Sequence, residues 1–365
     1  MGIRKLNKFL VSKNSIKTYR NIREFVNKIR INNRNNSHND KIVIAVDFWL
    51  YAHKFLHSRS NPEMQNVLHG FWNQIMRFLS HGIIPLYVMD GVVPIEKQNI
   101  VELRAKKYAN CKKNIDILDI EINKYVSMDD IDDDNLKAMY ARKEKLQRRA
   151  KKVSVHDLHN ICLLFDTFGI PYIRAEYEAD ALCAKLFKNK IITSCLSDDM
   201  DILAFGCGST IKFHKGMFIE FNLQHIYHTL GFDQNQLIDM CIIFGCDYLH
   251  HPLRLDCNDA YNMIKKHGSL LDALNSNEHT IFNIQNSNVK IIGEHYYRVK
   301  DIYMNNHDRE SIPCQLFDIK LQQIKFDELV SFLKKINILD KQTDSLALLE
   351  KQIANINQMI ANNIM

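Results

Sequence analysis

No apolar run in this chain reaches the roughly 18 residues that a membrane-spanning helix requires, and its opening, MGIRKLNKFL, has no long apolar block of the signal-peptide kind. A soluble, intracellular protein without a membrane partner is therefore expected. Gly2 does not start an acylation signal, because Leu6 stands where Ser or Thr is needed. The nine cysteines include no CxxC pair and are odd in number, which argues against a zinc site and against a disulfide framework. Free thiols are expected, with Cys241 and Cys246 in the core. No G-x-x-x-x-G-K-[ST] loop is present to cradle a triphosphate, so an ATPase is not expected. There is no obvious internal repeat or low-complexity tail. The formal charge of +6 is modest for 365 residues, so its distribution is more informative than its total. Abundant Asn, Ile and Lys fit an AT-rich genome and say nothing about function.

Three apolar runs of strand length end at acids. Lys41-Ile-Val-Ile-Ala-Val-Asp47 is the first, Ile83-Ile-Pro-Leu-Tyr-Val-Met-Asp90 the second, and Ile191-Ile-Thr-Ser-Cys-Leu-Ser197 leads into Asp198, Asp199 and Asp201. Helical patterns separate them, as at Val67–Leu79 and Val155–Phe168. The alternation predicts an α/β fold with a mostly parallel sheet and helices on its faces. Parallel strands end at one edge, where open α/β sheets place ligands, so Asp47, Asp90, Asp199 and Asp201 are expected to converge there.

Between Lys97 and Lys152 the sequence turns long, charged and helical, too polar for core. Its second half, Arg142-Lys-Glu-Lys-Leu-Gln-Arg-Arg-Ala-Lys-Lys152, reads either as a solvated face or as a phosphate-contacting arch carrying Arg148, Arg149, Lys151 and Lys152. A β-hairpin is expected around Lys215-Gly216, and helices from Gln236 onward. These patterns suggest a first part of the core at 1–96, a charged helical insertion at 97–152, a second part of the core at 153–248, a further segment at 249–275 and a helical region at 276–365.

Two more acidic sites join the strand-end acids: Glu178 and Asp180 in Ala175-Glu-Tyr-Glu-Ala-Asp-Ala181, which opens a helix, and Asp247, embedded in the apolar, helical stretch Cys241-Ile-Ile-Phe-Gly-Cys-Asp-Tyr248. Each has an ordinary explanation alone, since acids favour helix N-termini and loops. Together they form an oxygen-only donor set with no His or Cys cluster, the preference of hard divalent ions. Two Mg²⁺ ions in such a set can activate a water and stabilise the leaving oxygen of a phosphodiester. Hydrolysis is the chemistry to expect.

In order, Met1-Gly-Ile3, the strand ending at Asp47, Tyr87-Val-Met-Asp-Gly91, Glu176-Tyr-Glu-Ala-Asp-Ala181, Asp198-Asp-Met-Asp201 and Phe244-Gly-Cys-Asp-Tyr248 resemble the flap endonuclease (XPG) superfamily of structure-specific 5′ nucleases, over roughly residues 1–275. The resemblance implies a PIN-like, Rossmann-like core with a helical arch and a helix-two-turn-helix. It implies a two-Mg²⁺ site, in which Mn²⁺ can substitute, made of Asp47, Asp90, Glu178, Asp180, Asp199, Asp201 and Asp247, with Asp198 at a position the family usually gives to a non-ligand acid. Asp90 and Glu178 would anchor the activating ion. Lys97 and Arg104, seven and fourteen residues after Asp90, would engage the scissile phosphate from the arch base. Gly2, Lys265 and Lys266, together with the arch cations, would contact DNA.

The implied substrate is branched or flapped DNA in replication, repair or recombination, met by a monomer in the nucleus or at a viral replication site. A non-cleaving DNA-binding protein and a related RNA nuclease are the alternatives. Three departures stand out. The segment Arg254-Leu-Asp-Cys-Asn-Asp259 lacks the family hairpin's glycines, proline and basic pair, while Asp256 and Asp259 add negative charge. His53 replaces a base-stacking Tyr, with Tyr51 nearby. No Gln-x-x-apolar-x-x-aromatic-aromatic box is present, so sliding-clamp recruitment is not expected.

Overall fold

Aliphatic and β-branched runs build the centre of one sheet. In the computed structural model, which describes residues 3, 5–35, 41–57, 66–127, 132–249, 253, 255–276, 286–336, 338 and 343–365, the strands are β1 (Lys17–Tyr19), β2 (Ile42–Asp47), β3 (Ile83–Met89), β4 (Tyr172–Arg174), β5 (Ser194–Leu196), β6 (Ser209–His214) and β7 (Met217–Asn222). Their order is β1-β7-β6-β5-β2-β3-β4. From β4 through β3, β2 and β5 to β6 the pairing is parallel, whereas β7 and β1 are antiparallel additions. Every residue of β3, and β2 up to Val46, is buried, as expected of central strands covered on both faces. Gly2 and Arg254 lie outside the described residues.

Aromatic rings tie the helices to the sheet. Tyr87 of β3 stacks on Phe165 of the Val155–Phe168 helix with centroids 4.3 Å apart, and Phe71 of the Asn66–Leu79 helix meets the edge of Phe165 at 5.6 Å. Ser154 and Asp157 form a reciprocal cap at the start of the former helix, and Gly169 closes it at φ 63°. The core is α/β with a mostly parallel sheet, as the alternation of runs predicted. The β5 strand is shorter than its apolar run: only Ser194–Leu196 pair, and Ile191 lies before the sheet.

Leaving β3, the chain forms the helices Gln98–Val126 and Asp133–Arg149. They project from the core, and their only buried residues are Leu118 and Ile122 of the first helix. The polar composition was right for an exposed pair, apart from that small seam. Lys143 pairs with Asp119 across it. Beyond the β6–β7 hairpin come Leu223–Leu230, Gln234–Phe244, Cys257–His267 and Leu270–Asn275, then Asn286–Arg309, Phe326–Lys335 and Thr343–Ala361. No described helix is long and apolar enough to cross a membrane.

Candidate active site

Parallel pairing brings the C-terminal ends of β2, β3, β4 and β5 to one edge, and the acids arrive there. Asp47 ends β2 and caps the Phe48–Leu56 helix, accepting from the Leu50 N–H at 3.1 Å and from the Ser197 hydroxyl at 3.0 Å. Asp90 follows β3 and accepts from the Ala179 N–H at 2.9 Å. The loops after β3 and β4 are zipped together: Gly91 and Val92 N–H groups donate to the carbonyls of Tyr177 and Glu176 at 2.8 and 2.9 Å. A Cβ at Gly91 would lie 2.0 Å from the Ala175 carbonyl, so only glycine allows this approach. The zipped loops set Glu178 opposite Lys97.

Past β5, Ser197 is shared, since its hydroxyl also accepts the Asp199 N–H at 3.0 Å. Asp199 in turn accepts the Asp201 N–H at 3.1 Å. Asp201 opens the short Asp201–Ala204 helix and is fully buried. Neither of its carboxylate oxygens has a hydrogen-bond partner among the described residues. Asp247 corrects an expectation. The Gln234–Phe244 helix stops before it, and Asp247 sits in the turn closed by the Cys246–Leu249 bridge rather than in a helix. Gly245, at φ 85°, ends that helix.

Two cations reach this edge from the segment that follows β3. Lys97, at the end of the Ile95–Lys97 turn, forms an ion pair with Glu178, and Arg104 reaches Asp247 at 3.1 Å. The Tyr248 hydroxyl donates to the other Glu178 oxygen, and the Lys97 ammonium stands 4.7 Å from the Tyr248 ring centroid.

Burial, with Asp90 next in effect, pushes the Asp47 carboxyl up to about 7, against the Leu50 N–H bond that lowers it. Burial and Asp199 likewise hold Asp180 and Asp201 well above the usual carboxylate range. Burial disfavours the charge on Lys97, but Glu178 and Asp201 outweigh it and hold its pKa above the ordinary value.

The donor set fits a hard divalent ion. It offers oxygens only, and the unpartnered, buried Asp201 carboxylate is a group that demands compensation. Among the described residues no three acids, His or Cys are close enough as they stand to enclose an ion. Lys97 and Arg104 engage two of the acids, Glu178 and Asp247, in ion pairs. A stability prediction follows from the raised carboxyl pKa values. Folded Asp47 keeps its proton to about 7 whereas the unfolded chain releases it near 4, so its contribution is complete below the lower value and lost as pH rises through the upper. Melting in chelator should therefore fall from about pH 5 to about pH 8, by on the order of a few kcal/mol in stability. Mg²⁺ should restore much of the loss at the higher pH. A flat profile in chelator would refute the buried, proton-holding arrangement.

Several partners carry no signal in sequence. Lys54 pairs with Asp198 at 2.5 Å, while the ammonium of Lys212 donates to the Asp198 carbonyl at 2.8 Å, so Asp198 turns toward its own cation. Tyr248 closes the Phe244-Gly-Cys-Asp-Tyr248 motif, but its bond to Glu178 does not follow from that motif. The cations expected to contact DNA differ in their surroundings. Arg149 and Lys151 are exposed, Arg148 pairs with Glu144 at 3.6 Å, and Lys152 lies 3.8 Å from the Tyr108 ring centroid. Lys265 folds back onto the Leu230 and Gly231 carbonyls at 3.2 and 2.9 Å, whereas Lys266 is exposed. Asp256 caps the Cys257–His267 helix through the Asn258 N–H.

An XPG N-terminal domain matches residues 1–111 and an XPG I-region matches residues 169–247. The chain is 27% identical over 288 residues to flap endonuclease 1 of Trypanosoma cruzi, covering 76% of this chain and 66% of that protein, so it spans just under two thirds of that relative's length. The catalytic core of Rad2 in complex with DNA substrate shares the fold with a TM-score of 0.66 at 18% identity, over 97% of this chain and 100% of that one. The Holliday junction-resolving enzyme GEN1, in complex with product DNA and Mg²⁺, gives 0.62 at 16% identity, over 98% and 80%. The mostly parallel sheet with its acidic edge thus has the PIN-like nuclease fold. Within that class, the two domain matches make the chain a member of the XPG and flap endonuclease superfamily.

Proposed function

We propose that the chain is a divalent-metal-dependent, structure-specific 5′ nuclease that hydrolyses phosphodiester bonds in branched or flapped DNA during replication, repair or recombination. The observation that carries this reading is the gathering of the acids at the sheet edge with two arch-base cations, around the buried Asp201 carboxylate, whose oxygens have no hydrogen-bond partner among the described residues. Asp47, Asp90, Glu178, Asp180, Asp199, Asp201 and Asp247 would hold two Mg²⁺ ions, for which Mn²⁺ substitutes. Bound there, the ions supply a nucleophilic water at neutral pH and neutralise charge on the phosphate. Lys97 and Arg104 bind and orient the scissile phosphate and stabilise the charge that develops on its oxygens. Residues 97–152 act as the arch, and its exposed cations contact the phosphate backbone without reading bases. The chain acts as a monomer on DNA inside the cell.

The test uses end-labelled flap, nicked, gapped, junction and RNA substrates with Mg²⁺, compared by product length. Cleavage confined to branched DNA is expected. Binding without cleavage would favour a non-cleaving DNA-binding protein, and RNA products alone would favour an RNA nuclease. Neutralising Arg148, Arg149, Lys151 and Lys152 together should weaken DNA binding and reduce the slope of log affinity against log salt by about 2 to 4. The single-turnover rate at saturation should change little. An unaltered slope would place these cations off the DNA path.

A further inference from the structure

The loop that presents Glu178 is held from behind by a residue far along the chain. Glu310 follows the Asn286–Arg309 helix, outside both matched segments, and is only 2% exposed. Its carboxylate accepts three successive backbone N–H groups, those of Glu176 at 2.7 Å, Tyr177 at 3.0 Å and Glu178 at 3.1 Å. The carbonyls of Glu176 and Tyr177 face the other way and hold Val92 and Gly91, just past Asp90. The Ser311 hydroxyl donates to the Glu176 side chain. Lys185, on the helix that Glu178 begins, donates to the Glu310 carbonyl at 2.6 Å. The helix before Glu310 is also tied to the arch base, where Arg298 meets Glu96 at 2.8 Å.

We propose that Glu310 is a positioning residue for the metal centre: by gathering the Glu176, Tyr177 and Glu178 N–H groups it fixes the loop that carries Glu178 and, through Gly91 and Val92, the approach of Asp90. The proposal rests on the metal centre described under the proposed function. Three N–H groups converging on one carboxylate form an anion cradle, and here the cradle is filled from within the chain. A glutamine in the same place offers one acceptor oxygen and sets an NH₂ against the remaining N–H donors. The loop then loses its fixed geometry without losing volume. Groups that orient metal ligands typically change metal affinity by about 10- to 100-fold when replaced.

The experiment compares full-length wild type with Glu310→Gln, Glu310→Asp and Asp239→Asn. Asp239 is a matched control. It is fully buried, ties the Leu270 N–H to the Tyr296 hydroxyl and Lys300 of the Asn286–Arg309 helix that precedes Glu310, and has no bond to the Glu178 loop among the described residues. Mn²⁺ affinity is titrated by electron paramagnetic resonance without DNA, alongside melting in chelator and single-turnover cleavage. Glu310→Gln should weaken Mn²⁺ binding at least about tenfold and lower the maximal rate, with DNA affinity unchanged. Glu310→Asp, which keeps the charge but is too short to reach all three donors, should fall between it and wild type. Asp239→Asn should melt earlier yet bind Mn²⁺ as wild type does. Wild-type Mn²⁺ affinity in both Glu310 variants, or an equal loss in Asp239→Asn, would overturn the assignment. Wild-type protein that binds no Mn²⁺ would overturn the metal centre itself, and the positioning role with it.

Discussion

Asp201→Asn is expected to slow single-turnover cleavage by about a thousandfold or more, while leaving the metal-free protein as stable as wild type or more so at neutral pH. The two effects have one cause. Asp201 is fully buried, with both oxygens unpartnered among the described residues, and burial followed by Asp199 holds its pKa well above the ordinary range. A charge there is costly until a cation answers it. The amide removes that cost in the metal-free state and removes a ligand charge from the metal-loaded one, where charge stabilisation by the metal centre is worth several kcal/mol.

Melting curves in chelator and in Mg²⁺ separate the two readings of Asp201. Wild type should gain stability with Mg²⁺ by mass action, and Asp201→Asn should gain far less. DNA affinity should be unchanged, because Asp201 is fully buried and offers no surface to a phosphate backbone. A variant that melts much earlier in chelator would show that Asp201 has a structural partner, and one that cleaves at the wild-type rate would remove it from the metal centre.

Much of this site was legible because it lies at strand ends. An apolar β-branched run ending in Asp, repeated along the chain, carries both the parallel sheet and the edge to which Asp47, Asp90 and Asp199 are delivered. What did not show in sequence depends on contacts between distant residues. The β1 edge strand is three residues long and reads Lys17-Thr-Tyr19, too short and polar for any alternation to register. It pairs only because β7 offers an antiparallel edge. Asp247 reads as part of a helix because Cys241-Ile-Ile-Phe244 is apolar without a break, and Gly245 alone gave notice of the turn. The Lys54 pair with Asp198 and the Glu310 bonds to the Glu178 loop join residues 144 and 132 or more apart in number, for which local pattern holds no information.

Lys97→Met should reverse the stability outcome predicted for Asp201 while sharing its loss of rate. Lys97 is paired with Glu178, and both side chains are largely withdrawn from solvent, at 18% and 9% exposure. Removing one partner of such a pair strands the other, a loss of about 3 to 5 kcal/mol in buried cases. In chelator the variant should melt well below wild type, and Mg²⁺ should restore more of its stability than it adds to wild type, because a divalent charge near Glu178 replaces the missing ammonium. Cleavage should remain slow after that restoration, by about a hundredfold or more, since Arg104 and the metal ions then face the charge developing on the phosphate without the Lys97 ammonium. Arg104→Ala provides the contrast. Its side chain is 51% exposed against 15% for Asp247, so solvent screens the pair and its loss should cost at most about 1 kcal/mol, with the rate again reduced. Lys97→Met that melts like wild type in chelator would mean the pair with Glu178 contributes nothing to the fold. Full recovery of rate in Mg²⁺ would show that Lys97 balances charge in the metal-free protein and takes no part in stabilising the phosphate.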